Sequence, residues 1–302
     1  MANSRPLGVL DSGVGGLTVA LALRRALPHE SILYYADTAH CPYGEREPEE
    51  VRVLAVAAAR WLLSRGAKLL VVACNTASAA ALARLRQEFD LPIVGMVPAM
   101  KPASLLSRAG KVGVLATPAT VHADLFARLV QDFAGGIEVH VATGTGLVEL
   151  VEAGEIDTPR LRRTLRSHLT PLLEQGIDTL VLGCTHFPFL RPAIAALVGS
   201  DVQVLDTGEA VARQVSRVLD AHGLGADPAA AAWVRYHCTG DRRPFLRAVR
   251  RLLAPTAGPE ADRAMVHGLV GPPVAPAAGR SAPQVPDSGA ARDVEPSAAA
   301  GT

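Results

Sequence analysis

The sequence predicts an α/β protein with two pseudo-symmetric, doubly wound parallel-sheet domains and the active site in the cleft between them. Three observations predict it. Short apolar runs alternate with longer stretches of helical spacing from residue 7 to residue 253, the pattern of βαβ units. Runs such as LLVVA (69–73) and LVLG (180–183) are apolar without interruption, as strands covered on both faces are. Two kinds of strand ending also recur at nearly one interval. GVLDS and GVLAT begin at Gly8 and Gly113, 105 residues apart, and two Cys-polar-polar endings begin at Cys74 and Cys184, 110 apart. Such recurrence marks internal duplication.

Taken in order, strands are expected at Leu7–Leu10, Ile32–Ala36, Leu69–Ala73, Ile93–Gly95, Val112–Ala116, Glu138–Val141, Thr179–Leu182, Val202–Leu205 and Trp233–His237. Between most of them lie amphipathic stretches, of which Val51–Ser64 and Leu161–Glu174 have the clearest helical period. The chain changes character near Pro255. From Gly271 to Thr302, 22 of 32 residues are Pro, Ala, Gly or Ser, with no Leu, Ile or aromatic. Such a segment buries too little apolar area to offset its ordering entropy, so 255–302 is expected to be a disordered tail.

Composition removes several classes. The 302 residues are 49% hydrophobic and 4% aromatic, and 30 basic against 29 acidic side chains leave a net charge of +1. A near-neutral chain with few aromatics suits neither phosphate neutralisation nor base stacking, so no nucleic-acid partner is expected. No run of about 20 apolar residues is present, so no membrane span is expected. Asp11 interrupts the apolar start of the chain, which therefore does not read as a signal peptide, and a cytoplasmic protein is the expectation. In that compartment Cys41, Cys74, Cys184 and Cys238 are expected as free thiols. Their spacing contains no CxxC and no paired-ligand pattern, so no metal is expected.

In parallel sheets the chemistry gathers at the C-terminal ends of strands. Four endings stand out there. They carry Asp11 and Ser12; Cys74, Asn75 and Thr76; Ala116 and Thr117; and Cys184, Thr185 and His186. If the halves face each other, one thiol from each enters a shared cleft. A single thiol is enough for acyl transfer. Two similar groups on opposite faces are what inversion of a carbon centre needs, one removing a proton as thiolate and the other delivering one as thiol. Asp11 is expected to assist one thiol and His186 the other. The hydroxyls and amide of Ser12, Asn75, Thr76, Thr117, Thr120 and Thr185, beside helix N-termini, suit a small anionic substrate such as an amino acid. SGVGGLT is no dinucleotide fingerprint, because Thr18 stands where its third glycine belongs. Lys68 and Lys111 precede strands and Lys101 begins a helix, so none is placed for a Schiff base, and no cofactor is expected. His40 and Cys41, in DTAHCPYGER (37–46), read as loop residues without partners. Cys238 reads as structural, and His122 reads as opening a helix near the cleft.

DSGVGGLTV, DTAHCPYG, VVACNTASA, GVLATPAT and LVLGCTHFP, followed by Thr239–Asp241 and Phe245, resemble in their order the glutamate racemases of the aspartate/glutamate racemase superfamily. The resemblance runs from about residue 7 to about residue 250. It implies a cofactor-independent isomerase that interconverts L- and D-glutamate and supplies D-glutamate for peptidoglycan. It implies two domains, 1–97 with 208–254 and 98–207, and a homodimer. It places the catalytic pair on Cys74 and Cys184, acting on the D- and L-enantiomer respectively. Its substrate contacts fall on Asp11, Ser12, Tyr43, Gly44, Asn75, Thr76, Thr185 and His186, and its conserved glutamate on Glu152. Ala142-Thr143-Gly144 and the VHADLF after Thr120 depart from the family pattern. The alternatives are a racemase of another acidic amino acid such as aspartate, and a two-lobed binding protein without catalysis.

Overall fold

The computed structural model describes residues 3–133, 135–229 and 231–253. The segment 255–302, expected to be disordered, lies outside the described residues. All nine expected strands form, with ends shifted by a residue or two. The first sheet contains β1 (Leu7–Asp11), β2 (Ile32–Ala36), β3 (Leu69–Val72), β4 (Ile93–Val94) and β9 (Val234–Cys238). The second contains β5 (Lys111–Ala116), β6 (Glu138–Thr143), β7 (Thr179–Gly183) and β8 (Gln203–Leu205). Every pairing is parallel. Lys111 is thus the first residue of a strand and does not precede one.

The strand orders are β4-β3-β1-β2-β9 and β8-β7-β5-β6. Read this way, each of the first four strands has a counterpart, and the first sheet adds β9 beside β2. The duplication inferred from recurrent endings is therefore a duplication of topology. The recurrent glycines share a cause as well. A Cβ on Gly8 would meet Ala67 Cβ at 2.9 Å, and one on Gly113 would meet Ile177 Cδ1 at 2.5 Å, because the covering layer lies close over both central strands.

Helices cover both faces of each sheet. In the first part of the chain these are α1 (Leu17–Ala26), α2 (Pro48–Ser64), α3 (Asn75–Glu88) and α4 (Met100–Leu106). In the middle come α5 (Pro118–Val121), α6 (Asp124–Phe133), α7 (Leu147–Glu152), α8 (Pro159–Glu174) and α9 (Arg191–Val198). The last two are α10 (Gly208–His222) and α11 (Arg242–Leu253). Local chemistry explains their starts. α8 opens on Thr158, whose hydroxyl accepts from Leu161 N at 3.1 Å, followed by Pro159 in its first turn. Leu161, Leu165, Leu169 and Leu172 then bury one stripe. α2 starts likewise with Pro48 and with Glu49 and Glu50 in its first turn.

Three apolar clusters result. One lies under α2 and α3, one under α4 and α6, and the largest runs from the α1/α10 side of the first sheet to the α7–α9 side of the second. That last cluster is continuous between the sheets, so burial holds the two sets of strand tips toward each other. Among the described residues no helix is long and apolar enough to cross a membrane. At the strand ends opposite the tips, Lys68 Nζ sits 2.6 Å from Glu30 Oε2 and donates to Asn3 O at 2.7 Å. Its buried ammonium is thereby committed to structure.

Candidate active site between the two sheets

The four tips converge. Ser12, Pro42, Tyr43, Gly44, Cys74, Asn75, Thr76, Thr117, Cys184, Thr185 and His186 line one narrow cavity, together with Gly183 and Val148, which sequence reasoning missed. Both thiols are buried. A wider groove along α2 and α3, lined by Arg52, Arg60 and Arg84 among others, contains neither of them.

Each thiol has its own surroundings. Cys74 caps α3, and its Sγ accepts from Ala77 N at 3.4 Å. Burial pushes this thiol above its usual range, and the nearby Asp11 charge adds to that; the Ala77 N–H acts against both. Cys184 Sγ lies 3.7 Å from His186 Nδ1. The far side of that ring meets Glu152 Oε1 at 2.6 Å. Burial opposes a charge on His186, but hydrogen bonds to Cys184, Cys41 and Glu152 outweigh it and hold the imidazole well above its usual range. Burial likewise pushes Glu152 up, yet the His186 contact and the Val14 N–H outweigh it and bring the carboxyl below its usual range.

The glycine loop after β1 joins the halves. Val14 N donates to Glu152 Oε1 at 2.7 Å, and Thr18 Oγ1 donates to Thr185 O at 3.1 Å. Side chains are sterically excluded here. A Cβ on Gly13 would lie 1.9 Å from Glu152 Oε1, and one on Gly15 would lie 2.3 Å from His186 Nδ1. Asp11 supports the loop from within. Its Oδ2 accepts from Gly13 N at 3.1 Å and Gly16 N at 2.9 Å. Burial raises the Asp11 carboxyl above its usual range, while the His186 charge and these N–H groups act the other way.

Three hydroxyls close the opposite wall. Thr76 Oγ1 lies 3.0 Å from Thr117 Oγ1 and 3.2 Å from Thr120 Oγ1, and the latter two are 2.9 Å apart. Thr76 follows β3 and the other two follow β5, so this triangle also bridges the sheets. Nearby polar atoms are left over. Both amide atoms of Asn75, which lines the cavity, and Asp11 Oδ1, under the glycine loop, are buried without a hydrogen-bond partner among the described residues. Buried polar atoms without partners at the cavity suit a polar ligand.

The segment after β2 forms the roof. Asp37 accepts from Tyr43 OH at 2.6 Å and from Thr239 Oγ1 at 2.6 Å, and lies 2.9 Å from His40 Nδ1. Thr239 follows β9, so the C-terminal return holds the loop that carries Tyr43. Cys238 is buried in the same return. Three expectations need correction. His40 is not without partners, its Nδ1 lying 2.9 Å from Asp37 Oδ1. Neither is Cys41: its Sγ lies 3.5 Å from Glu152 Oε1, and burial, followed by the Glu152 charge and opposed by a His186 hydrogen bond, leaves its thiol pushed up to about 12. His122 does not open a helix but follows α5 as its C-cap. Among the described residues, Cys41, Glu152 and His186 also form a group able to hold a metal, their donor atoms lying within 4.8 Å of one another.

A pair of pseudo-equivalent parallel sheets that close their strand tips on one polar, thiol-bearing cavity is the architecture of an α/β enzyme with its site between two lobes. The comparisons with known proteins make this specific. Residues 17–215 match the model of the Asp/Glu/Hydantoin racemase family. A glutamate racemase of Roseiflexus sp. (strain RS-1) is 48% identical over 255 residues, 84% of this chain and 94% of that protein. The solved glutamate racemase isoform RacE1 of Bacillus anthracis superposes with a TM-score of 0.75 at 36% identity, over 83% of this chain and 94% of that one. The Escherichia coli glutamate racemase, solved with L-glutamate and the activator UDP-MurNAc-ala, gives 0.74 at 34% identity, over 82% and 95%. The chain belongs to the Asp/Glu/hydantoin racemase family and is an amino-acid racemase.

Proposed function

We propose that this protein interconverts L- and D-glutamate without a cofactor, using Cys74 and Cys184 as the two proton-transferring groups. One observation carries the reading: thiols from matched strand tips of the two sheets enter the same cavity. Identity to glutamate racemases over most of the chain supports the substrate, as does L-glutamate in the Escherichia coli structure.

The chemistry follows from the surroundings. An amino-acid Cα–H is a very weak acid, so the base must be strong when charged. Burial that raises the Cys74 thiol makes its thiolate a stronger base and its population smaller. The thiolate takes the Cα proton on one face while the opposite thiol delivers a proton on the other. Cys74 acts on the D-enantiomer and Cys184 on the L-enantiomer, and each turnover leaves the pair with its protonation reversed. His186 exchanges the Cys184 proton and is oriented by Glu152. The Asn75 amide, the hydroxyls of Ser12, Thr76, Thr117, Thr120 and Thr185, and the backbone N–H groups of Tyr43 and Gly44 hold the substrate carboxylates, and Asp11 receives its ammonium. The two units are 1–97 with 208–254 and 98–207, acting in a cytoplasmic homodimer that supplies D-glutamate for peptidoglycan.

The test is incubation with L-glutamate in D2O without added cofactor. Deuterium enters Cα as optical rotation decays to zero, and kcat/KM is higher on glutamate than on aspartate. Absence of exchange sinks the reading, and a preference for aspartate corrects the substrate. Light scattering tests the dimer, and D-glutamate rescue of a depleted strain tests the cellular role.

A further inference from the structure

We propose that Cys41, Glu152 and His186 form a binding site for a thiophilic divalent cation such as Zn2+, and that its occupation inhibits the enzyme. The donor set is one thiolate, one carboxylate and one imidazole, the ligand types that zinc takes. Mg2+ and Ca2+ prefer all-oxygen shells and are poorly served by it. Residues 41, 152 and 186 come from three separate segments, so no spacing motif announces the site.

Two of the three donor pairs stand near coordination spacing, and all three donors lie within 4.8 Å of one another. A tetrahedral zinc with bonds of about 2.3 Å to sulfur and about 2.0 Å to nitrogen and oxygen sets its donors about 3.3–3.6 Å apart. Cys41 Sγ and Glu152 Oε1 already stand 3.5 Å apart. His186 Nε2 and Glu152 Oε1, at 2.6 Å, need to open by less than an ångström. Entry is available, because the Glu152 side chain is 22% exposed while that of His186 is 3% exposed. The fourth position on that side takes a water. Binding displaces two protons to solvent, the Cys41 thiol proton and the proton shared between His186 and Glu152.

The consequence rests on the proposed role of His186 and Cys184; the binding does not. A metal on Nε2 leaves a neutral ring whose proton sits on Nδ1. That nitrogen faces Cys184 Sγ at 3.7 Å. It then donates to a thiolate but cannot take a proton from the thiol, so exchange at Cys184 stops. The ion also withdraws Glu152 Oε1 from Val14 N and loosens the junction between the sheets.

Binding is tested on the full chain with reduced thiols, by titrating Cd2+ and following the thiolate-to-metal charge-transfer band in the ultraviolet. The C74S/C184S variant removes the two cavity thiols and is expected to bind one Cd2+ with unchanged affinity. Adding Cys41→Ser is expected to weaken binding more than the ~10–100-fold typical of losing an outer-shell partner. Cys41→Ala is run in parallel, with circular dichroism to verify folding. As a check that leaves Cys41 intact, Cd2+ is expected to protect it from alkylation in the C74S/C184S variant. Cd2+ binding that survives removal of Cys41, or that vanishes in C74S/C184S, overturns the site. In the activity arm, Zn2+ inhibits the wild type, a chelator restores it, and Cys41→Ser raises the inhibitory concentration at least about tenfold. Equal inhibition of wild type and Cys41→Ser overturns the inhibitory role. Should Cd2+ bind through Cys41 in a protein that does not racemise glutamate, the site stands and the proposed function falls.

Discussion

Val14 donates its backbone N–H to Glu152 Oε1 at 2.7 Å across 138 residues of sequence. The same oxygen meets His186 Nε2 at 2.6 Å and Cys41 Sγ at 3.5 Å. One carboxylate oxygen therefore ties the glycine loop of the first sheet to the imidazole beside the thiol of the second. The contact that joins the glycine loop to the second sheet is made by the same oxygen that orients His186.

Cys74→Ser and Cys184→Ser should each abolish racemisation, with kcat reduced by at least the about 10²–10⁴-fold that a positioned acid or base contributes. Serine keeps the shape of either side chain but is a far weaker acid. Deuterium incorporation from D2O and circular dichroism of the substrate measure the loss. Full activity in either variant refutes the two-thiol assignment.

The His186–Glu152 pair sets a pH window. His186 is held above its usual value, so its share of stability is complete below about 6.5 and is lost as pH rises through the raised value. Glu152 is held below its usual value, so its share is complete above about 4.3 and is lost as pH falls through the lowered one. The pair is at full strength between those limits. Glu152→Gln removes the charge, and the His186 ring resonance should then titrate at lower pH than in the wild type. An unmoved midpoint would show that Glu152 does not set the charge of His186.

Gly13→Ala tests the close approach of the loop. Its Cβ would lie 1.9 Å from Glu152 Oε1, so the carboxylate has to swing off Val14 and His186. Overpacking of this kind costs about 1–3 kcal/mol. Urea unfolding should show that modest loss, with a much larger proportional fall in kcat because His186 loses its orientation. A variant with normal kcat would mean the junction tolerates displacement of Glu152.

Thr239→Val should act at a distance from the thiols. It removes the donor to Asp37 Oδ1 at 2.6 Å, leaving a buried carboxylate that also receives Tyr43 OH. Stability should fall by about 1–3 kcal/mol. With the roof loosened, KM for glutamate should rise more than kcat falls, and Thr239→Ser should restore both. A change confined to kcat would place Thr239 in the chemistry instead.

Much of this molecule is legible in its sequence, and the reason is local. Apolar runs of four or five residues, such as Leu69–Val72 and residues 112–116, become strands because both of their faces are covered. The recurring GVLDS/GVLAT and Cys-polar-polar endings reveal a duplicated topology, and with it the meeting of Cys74 and Cys184. Short-range signals also mark α8, whose Thr-Pro start and leucine stripe lie within one helix. The tertiary structure decided what periodicity does not encode. Cys41 reads as an isolated loop thiol until Glu152, 111 residues away, arrives beside it. Thr239 is one residue of a closing motif with no role of its own until it grips Asp37, 202 residues away. Val148 is one apolar residue of a short helix until it lines the cavity. Local residue pattern determined the elements and the two thiols, while the order of strands in each sheet came with the tertiary structure. Which polar atoms share Glu152 Oε1, and which are left without partners, depends on contacts that exist only once the two sheets have closed on each other.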